Sequence, residues 1–238
     1  MSVSHGKDTR VYVNGFDLSA YFTEAGHEGA CDVAEIATFT DTAKEILSGL
    51  KSGKLTLAGV YDGAASAVDE FLESVLGAAA ESIWTYLPQG DVLGNVAYGV
   101  KGVETAYSVK GSITDAVRVN AEANSNVGEE RLTVHHALGA EVASGSSAAQ
   151  DNGAATTNGG VGYLHVPDIT GITNLAVVVE DSADGSTGWA TILTFTGVTA
   201  DNAKERVAIT GTVRRHTRDT WTFTGAGSAQ FFVGFGRK

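Results

Sequence analysis

A chain of 238 residues with 43% hydrophobic side chains is long enough to bury one large β-rich core or two smaller ones. Its formal net charge of -12 excludes a basic surface that clings to DNA or to anionic lipid, because affinity for phosphates comes from Lys and Arg displacing counterions. A single cysteine, Cys31, excludes an intrachain disulfide, a disulfide scaffold and a Cys-only zinc cluster.

Charged residues make up only 18% of the chain, with 30 Gly against 2 Pro, and Thr, Val and Ala recur throughout. That profile favours many strands joined by Gly-rich turns. Residues 1–10 are polar and lack an apolar h-region, and no run approaches about eighteen apolar residues. A cytosolic chain without signal peptide or membrane span is expected.

In chain order, residues 10–14 read as a short strand closing in a turn at Asn14-Gly15, a dipeptide that tolerates positive φ. From Gly53, Leu55, Leu57 and Tyr61 share one parity and Lys54 and Thr56 the other, as in a half-buried strand. Over about 63–80, Val68, Phe71, Leu72, Val75 and Leu76 recur at the spacing of one helix face, with Asp62 as the N-cap. Asp69 and Glu70 suit the first half of that helix. Strands are expected at 82–87, 95–110, 112–123 and 130–136. In the second of these, Val103, Tyr107 and Val109 fall on one face and Glu104, Ser108 and Lys110 on the other; in the third, Val117 and Val119 oppose Arg118 and Asn120.

Between about 139 and 160 the chain is Ala, Ser, Gly, Asn and Thr with almost no bulky side chains, which reads as a linker. Strands follow at 161–166, 175–181, 189–195, 206–210, 214–223 and 229–237. Their close spacing, with a turn at Ala183-Asp184-Gly185-Ser186, predicts a small antiparallel sandwich. Its core would use Val177, Val179, Ile192, Val207, Ile209, Trp221, Phe223, Phe231, Val233 and Phe235.

No G-x-S-x-G elbow, Walker loop or G-x-G-x-x-G is present, so hydrolase, nucleotidase and dehydrogenase readings lose their usual support. No catalytic, cofactor-binding or metal site is expected. His135 and His136, adjacent on one strand, point to opposite faces and read as ordinary surface or half-buried histidines. Asp181, Asp184 and Gly185 suggest part of a calcium loop, but the alternating acidic ligands are missing and a hairpin turn is the simpler reading. Arg206, Arg214, Arg215 and Arg218 form the one local cationic cluster. It reads as solvated strand faces paired with acids within the chain, in preference to a contact with phosphate or an acidic neighbour. Tyr163 and Trp189, if exposed, could stack on sugars, although most large aromatics are core residues.

The segment 38–62, T-F-T-D-T-A-K-E-I-L-S-G-L-K-S-G-K-L-T-L-A-G-V-Y-D, followed directly by the helix, resembles the major tail tube proteins of long-tailed (siphovirus-type) bacteriophages. In that family an aromatic, a short polar loop, a Lys, an S-G-L turn, a strand and a helix occur in this order. The matching positions are Phe39, Lys44, Ser48, Gly49, Leu50, Leu55, Leu57, Gly59, Tyr61 and Asp62, with Thr40 where the family often carries a glycine. The resemblance covers about residues 8–138, and 161–237 look like the extra β domain that some such proteins carry.

The resemblance implies a mainly β fold: a tail-tube-type β-barrel or sandwich with a single packed helix over 1–140, a linker over 141–160, and a small β-sandwich over 161–238. It also implies a non-enzymatic, cofactor-free virion protein, assembled in the host cytoplasm as stacked and hexameric rings. Phe39, Lys44, Ser48, Gly49 and Leu50 would form an assembly loop reaching the next ring or subunit. The expected partners are further copies, the tape measure, tail terminator and distal tail proteins, and DNA sliding through the lumen past an acidic wall. Two alternatives share the β architecture: the inner tube of a contractile injection system, and a decoration or glycan-binding adhesin protein.

Overall fold

A computed structural model describes residues 5–40, 42–64 and 67–238. The first residues of the polar N-terminal arm, Asp41 of the expected assembly segment and residues 65–66 of the expected helix lie outside that set. The described chain is mainly β, in the order β1 (Arg10–Val13), β2 (Phe16–Asp17), β3 (Phe22–Glu35), β4 (Ile46–Val60), α1 (Val68–Val75), β5 (Ser82–Leu87), β6 (Val96–Ser112), β7 (Asp115–Ser125), β8 (Glu130–Glu141), β9 (Gly145–Ser146), β10 (Gln150–Asp151), β11 (Gly160–Ser182), β12 (Ala190–Thr194), β13 (Ala203–Ile209) and β14 (His216–Arg237). Among the described residues no helix is long and apolar enough to cross a membrane.

The chain divides into two compact units. The first comprises Met1–Ala20, Ile83–Gly99 and Glu130–Lys238; the second comprises Tyr21–Ser82 and Val100–Glu129. This grouping interleaves segments from both sides of the boundary at 140–160 that composition suggests. Composition registers where bulky side chains stop, whereas the units are set by which strands pair.

In the first unit the two-residue turn at Asn14 (φ 49) and Gly15 (φ 91) joins β1 to β2, as the Asn-Gly dipeptide predicts. The frame of this unit is the antiparallel pair β11–β14, whose register runs from Gly160↔Arg237 to Ser182↔His216. Four separate strands are expected over these residues, but each pair is one continuous strand turned at a corner. Gly171 (φ 75) and Gly225 (φ 101) occupy that corner, where only glycine adopts the backbone without strain.

On either side of the corner the ribbon forms an arm. β13 and β8 flank the first arm, while β12, β9 and β10 flank the second. Side chains from both arms enter one core, including Leu164, Val166, Phe231, Val233 and Phe235 from the first and Leu175, Val177, Val179 and Trp221 from the second. Ile192, Val207, Ile209 and Phe223 pack against it, so all ten expected core residues take part. On the other face of the first arm, Val161, Tyr163 and Phe232 join Tyr12, Leu87, Leu132 and Val134 in a second core. Residues 161–166 are buried on both faces, and the polar side chain among them, His165, is held by the Gly15 amide and the Thr85 hydroxyl.

The stretch expected as a linker is held by pairing. Gly145 and Ser146 lie against Trp221 and Thr220, Gln150 and Asp151 against Thr217 and His216, and Arg215 binds Asp151 through two hydrogen bonds of 2.7 and 2.5 Å. Backbone hydrogen bonds, which need no bulky side chain, fix what composition reads as loose.

In the second unit the strands pair in the order β3–β4–β7–β6, all antiparallel. Leu55, Leu57, Val119, Ala121 and Ala123 are buried on one face. Asp69 of α1 accepts hydrogen bonds from Tyr61 and Tyr107, tying the helix to the strands. The helix is confined to Val68–Val75 instead of 63–80, and Asp62 does not cap it: its Oδ1 accepts from the Ala64 amide (3.0 Å), while the N-cap position is Ala67. At the other end Gly77 (φ 61) breaks the helix and Leu76 bridges to Glu104.

Candidate assembly surface

Along its inner half, from Lys54↔Asn124 to Val60↔Arg118, β4 has a neighbour on each side. Beyond Gly53 its pairing with β7 ends, and residues 46–53 pair only with β3, giving a two-stranded ribbon. At ~3.4 Å per residue these eight positions project roughly 25 Å from the sheet. The root is built from glycine: Gly29 pairs with Gly53, and a Cβ on Gly53 would collide with the backbone of Glu129.

The five residues expected to act in assembly all lie on this ribbon and its loop, and all are exposed. Phe39 stands at the loop turn with its ring in solvent (111% exposed). Lys44 binds Glu35 at 2.7 Å across the neck of the loop, next to the Ile36 N–H to Glu45 carbonyl hydrogen bond (2.9 Å). Ser48, Gly49 and Leu50, expected at a turn, lie within β4. The register steps from Cys31↔Lys51 to Val33↔Ser48, so Gly49 and Leu50 together face Asp32 as a β-bulge. The bulge leaves Leu50 80% exposed, and a Cβ on Gly49 would meet Asp32 at 3.2 Å.

Sequence reasoning did not single out Val33, Ile36, Ile46 and Leu47, which are exposed on the same ribbon. With Phe39 and Leu50 they make six large exposed apolar side chains within residues 33–50. The available signal was I-L-S-G-L itself, apolar but without the alternation of a half-buried strand.

The sheet at the base has a polar face opposite the buried one. Glu24, Glu28, Lys54, Thr56, Asn120, Glu122, Ser108, Lys110 and Arg118 share it by register. Lys54 and Glu122 pair at 2.7 Å, and that hydrogen bond holds the Glu122 carboxyl below its ordinary range. Glu104, expected on this face with Ser108 and Lys110, is fully buried on the other one. A register shift between Glu104 and Ala106 breaks the alternation and aligns Glu104 with Ala123 and Tyr107 with Ala121. Neither carboxylate oxygen of Glu104 has a hydrogen-bond partner, and burial pushes its pKa up to about 8.

The remaining candidates resolve into structural roles. Each arginine of the cationic cluster meets an acid: Arg206 with Glu130 (2.5 Å), Arg214 with Asp181 (2.6 Å), Arg215 with Asp151 (2.5 Å) and Arg218 with Glu180 (2.8 Å). Burial raises the Glu130 carboxyl, but hydrogen bonds from Arg206 and Tyr163 outweigh it and leave the group below its usual range. Asp184 closes a turn, accepting from the Ser186 and Thr187 amides at 2.9 and 2.8 Å. His135 and His136 are both buried, contrary to expectation: the first lies 3.2 Å from the Thr217 hydroxyl, and the second stacks on Phe231 with centroids 4.0 Å apart. Tyr163 is buried and Arg218 lies 4.1 Å over the Trp189 ring, so neither offers an open platform for a sugar.

No family model matches the chain, and no curated protein matches it. Among solved structures it is similar to the tail of an empty gene transfer agent particle with C6 symmetry, at 13% identity over 53% of this chain and 97% of that one, with a TM-score of 0.43. It is also similar to the SPP1 tail tube, at 10% identity over 54% of this chain and 78% of that one, with a TM-score of 0.45. A third similarity is to the SPP1 Dit protein, described as a hub adsorption apparatus in phages infecting Gram-positive bacteria. It has 13% identity over 95% of this chain and 98% of that one, with a TM-score of 0.40.

Proposed function

We propose that this chain is a structural virion protein that polymerises as stacked rings into the tail tube of a long-tailed phage. The observation that carries the reading is the β3–β4 ribbon. A two-stranded ribbon is at best marginally stable in water, and one with six exposed apolar side chains calls for a partner surface. Its position coincides with the segment whose order of residues resembles the tail tube family.

The edges of the same sheet support ring formation. Among the described residues β3 pairs with β4 alone, and the far part of β6 pairs with β7 alone, leaving two strand edges that edge-to-edge pairing between copies would satisfy. Closure into a hexamer follows the family pattern, and the tape measure, terminator and distal tail proteins are the partners it implies. The polar face of this sheet would line the lumen. Its acids Glu24, Glu28 and Glu122 are balanced by Lys54, Lys110 and Arg118, a surface that neither binds duplex DNA tightly nor strongly repels it. Repulsion at longer range would come from the unit as a whole, which holds fifteen of the 28 acidic residues and six of the 16 basic ones.

Negative-stain electron microscopy with size-exclusion chromatography over a concentration series tests the reading. Rings and hollow tubes are expected from the parent chain, and only monomers or free rings from Phe39→Asp/Leu50→Asp. A parent chain that stays monomeric throughout contradicts it, as do tubes of unchanged length from the double variant.

A further inference from the structure

The second unit carries another apolar tip, at the far end of the same sheet. Ile113, in the turn between β6 and β7, is 103% exposed, and Val109 and Val117 beside it are exposed as well. The strand register sets the two tips apart. Lys54 of β4 lies against Asn124 at the root of the β3–β4 ribbon, whereas Val60, at the other end of β4, lies against Arg118, close to the β6–β7 turn. The first tip therefore leaves the sheet at one end and the second at the other.

Charge divides along the same line. The ribbon end carries Asp32, Glu35 and Glu45 against Lys51 and Lys44, the latter tied to Glu35, which leaves a small acidic excess. The β6–β7 end carries Lys110 and Arg118, with Asp115 tied to Arg118 at 3.3 Å. One unit thus presents an apolar tip with a small acidic excess at one end and an apolar tip flanked by Lys110 and Arg118 at the other.

We propose, resting on the tube reading, that the β6–β7 end centred on Ile113 is the surface that receives the β3–β4 tip of a second copy of this chain. A tip and its acceptor at opposite ends of one sheet form a head-to-tail contact, which repeats along a column and does not close as a dimer. The apolar side chains supply the buried area, and Lys110 and Arg118 facing Asp32 and Glu45 set the direction of the stack.

Paired cysteines test this placement. In a Cys31→Ser background, a chain carrying both Phe39→Cys and Ile113→Cys is treated with a short bismaleimide under assembly conditions. A ladder of covalent multimers is expected, with no ladder from either single-cysteine chain. In parallel, Ile113→Asp is expected to raise the concentration needed for tubes by about tenfold or more. Val142→Asp, an exposed valine of the first unit, should leave that concentration unchanged. Matching thermal melts would show that both variants fold, as exposed positions permit. Tubes that form normally with Ile113→Asp and give no ladder overturn the acceptor site while leaving the tube reading standing. A parent chain that never assembles overturns both.

Discussion

Two antiparallel ribbons of this protein contrast sharply in their surroundings. The β11–β14 ribbon has flanking strands along much of its length, and its first arm is buried on both faces. The outer half of the β3–β4 ribbon has no flanking strand, and its side chains are exposed. Both are formed by the same backbone hydrogen bonds, so the difference lies in what covers them. A covered ribbon holds the fold together, while an uncovered one bearing apolar side chains is suited to joining molecules.

The largest expected effect comes from reversing burial in the two ribbons. Phe231→Ala removes a fully buried ring and should cost about 3–5 kcal/mol of folding stability, whereas Phe39→Ala should stay within about 0.5 kcal/mol in the monomer. Chemical denaturation of the two variants checks this. Equal losses would mean that the ribbon tip is packed within the monomer.

A second effect sharpens the contrast through pH. Glu104 holds its proton in the fold up to about pH 8, while the unfolded chain releases it above its ordinary value of 4.5. Between these values the folded state binds more protons, so stability falls as pH rises, by up to about 1.4 kcal/mol per pH unit. Glu104→Gln should flatten that part of the profile, and Glu35→Gln on the exposed ribbon should not. The smallest effect is expected from Lys44→Ala, which removes an ion pair whose side chains are 74% and 51% exposed. A loss below about 1 kcal/mol in the monomer is anticipated.

What could be read in advance follows the same division. The sandwich core was legible because Val177, Val179, Phe231, Val233 and Phe235 alternate regularly, and the Asn14-Gly15 turn because its backbone chemistry is local. β3 was not legible: F-T-E-A-G-H-E-G-A-C-D-V-A-E has few strand-forming side chains, and its conformation is imposed by pairing with β4. Glu104 was placed on the wrong face because a bulge is invisible to period-two counting. Asp62 has the residue type of a helix cap, yet the helix starts later than its pattern suggests, with Ala67 at the N-cap. The candidate assembly segment stands out by its order of residues, but the exposure of Val33, Ile36, Ile46 and Leu47 depends on where β7 stops, a long-range fact.

Hydrogen exchange of the ribbon in the free and assembled protein tests the central claim most directly. Amides of residues 46–53 should exchange rapidly in the monomer and become strongly protected in assemblies, while those of β11 and β14 are protected in both. Unchanged exchange at 46–53 in assemblies whose other surfaces gain protection would contradict the ribbon's role as the joining element.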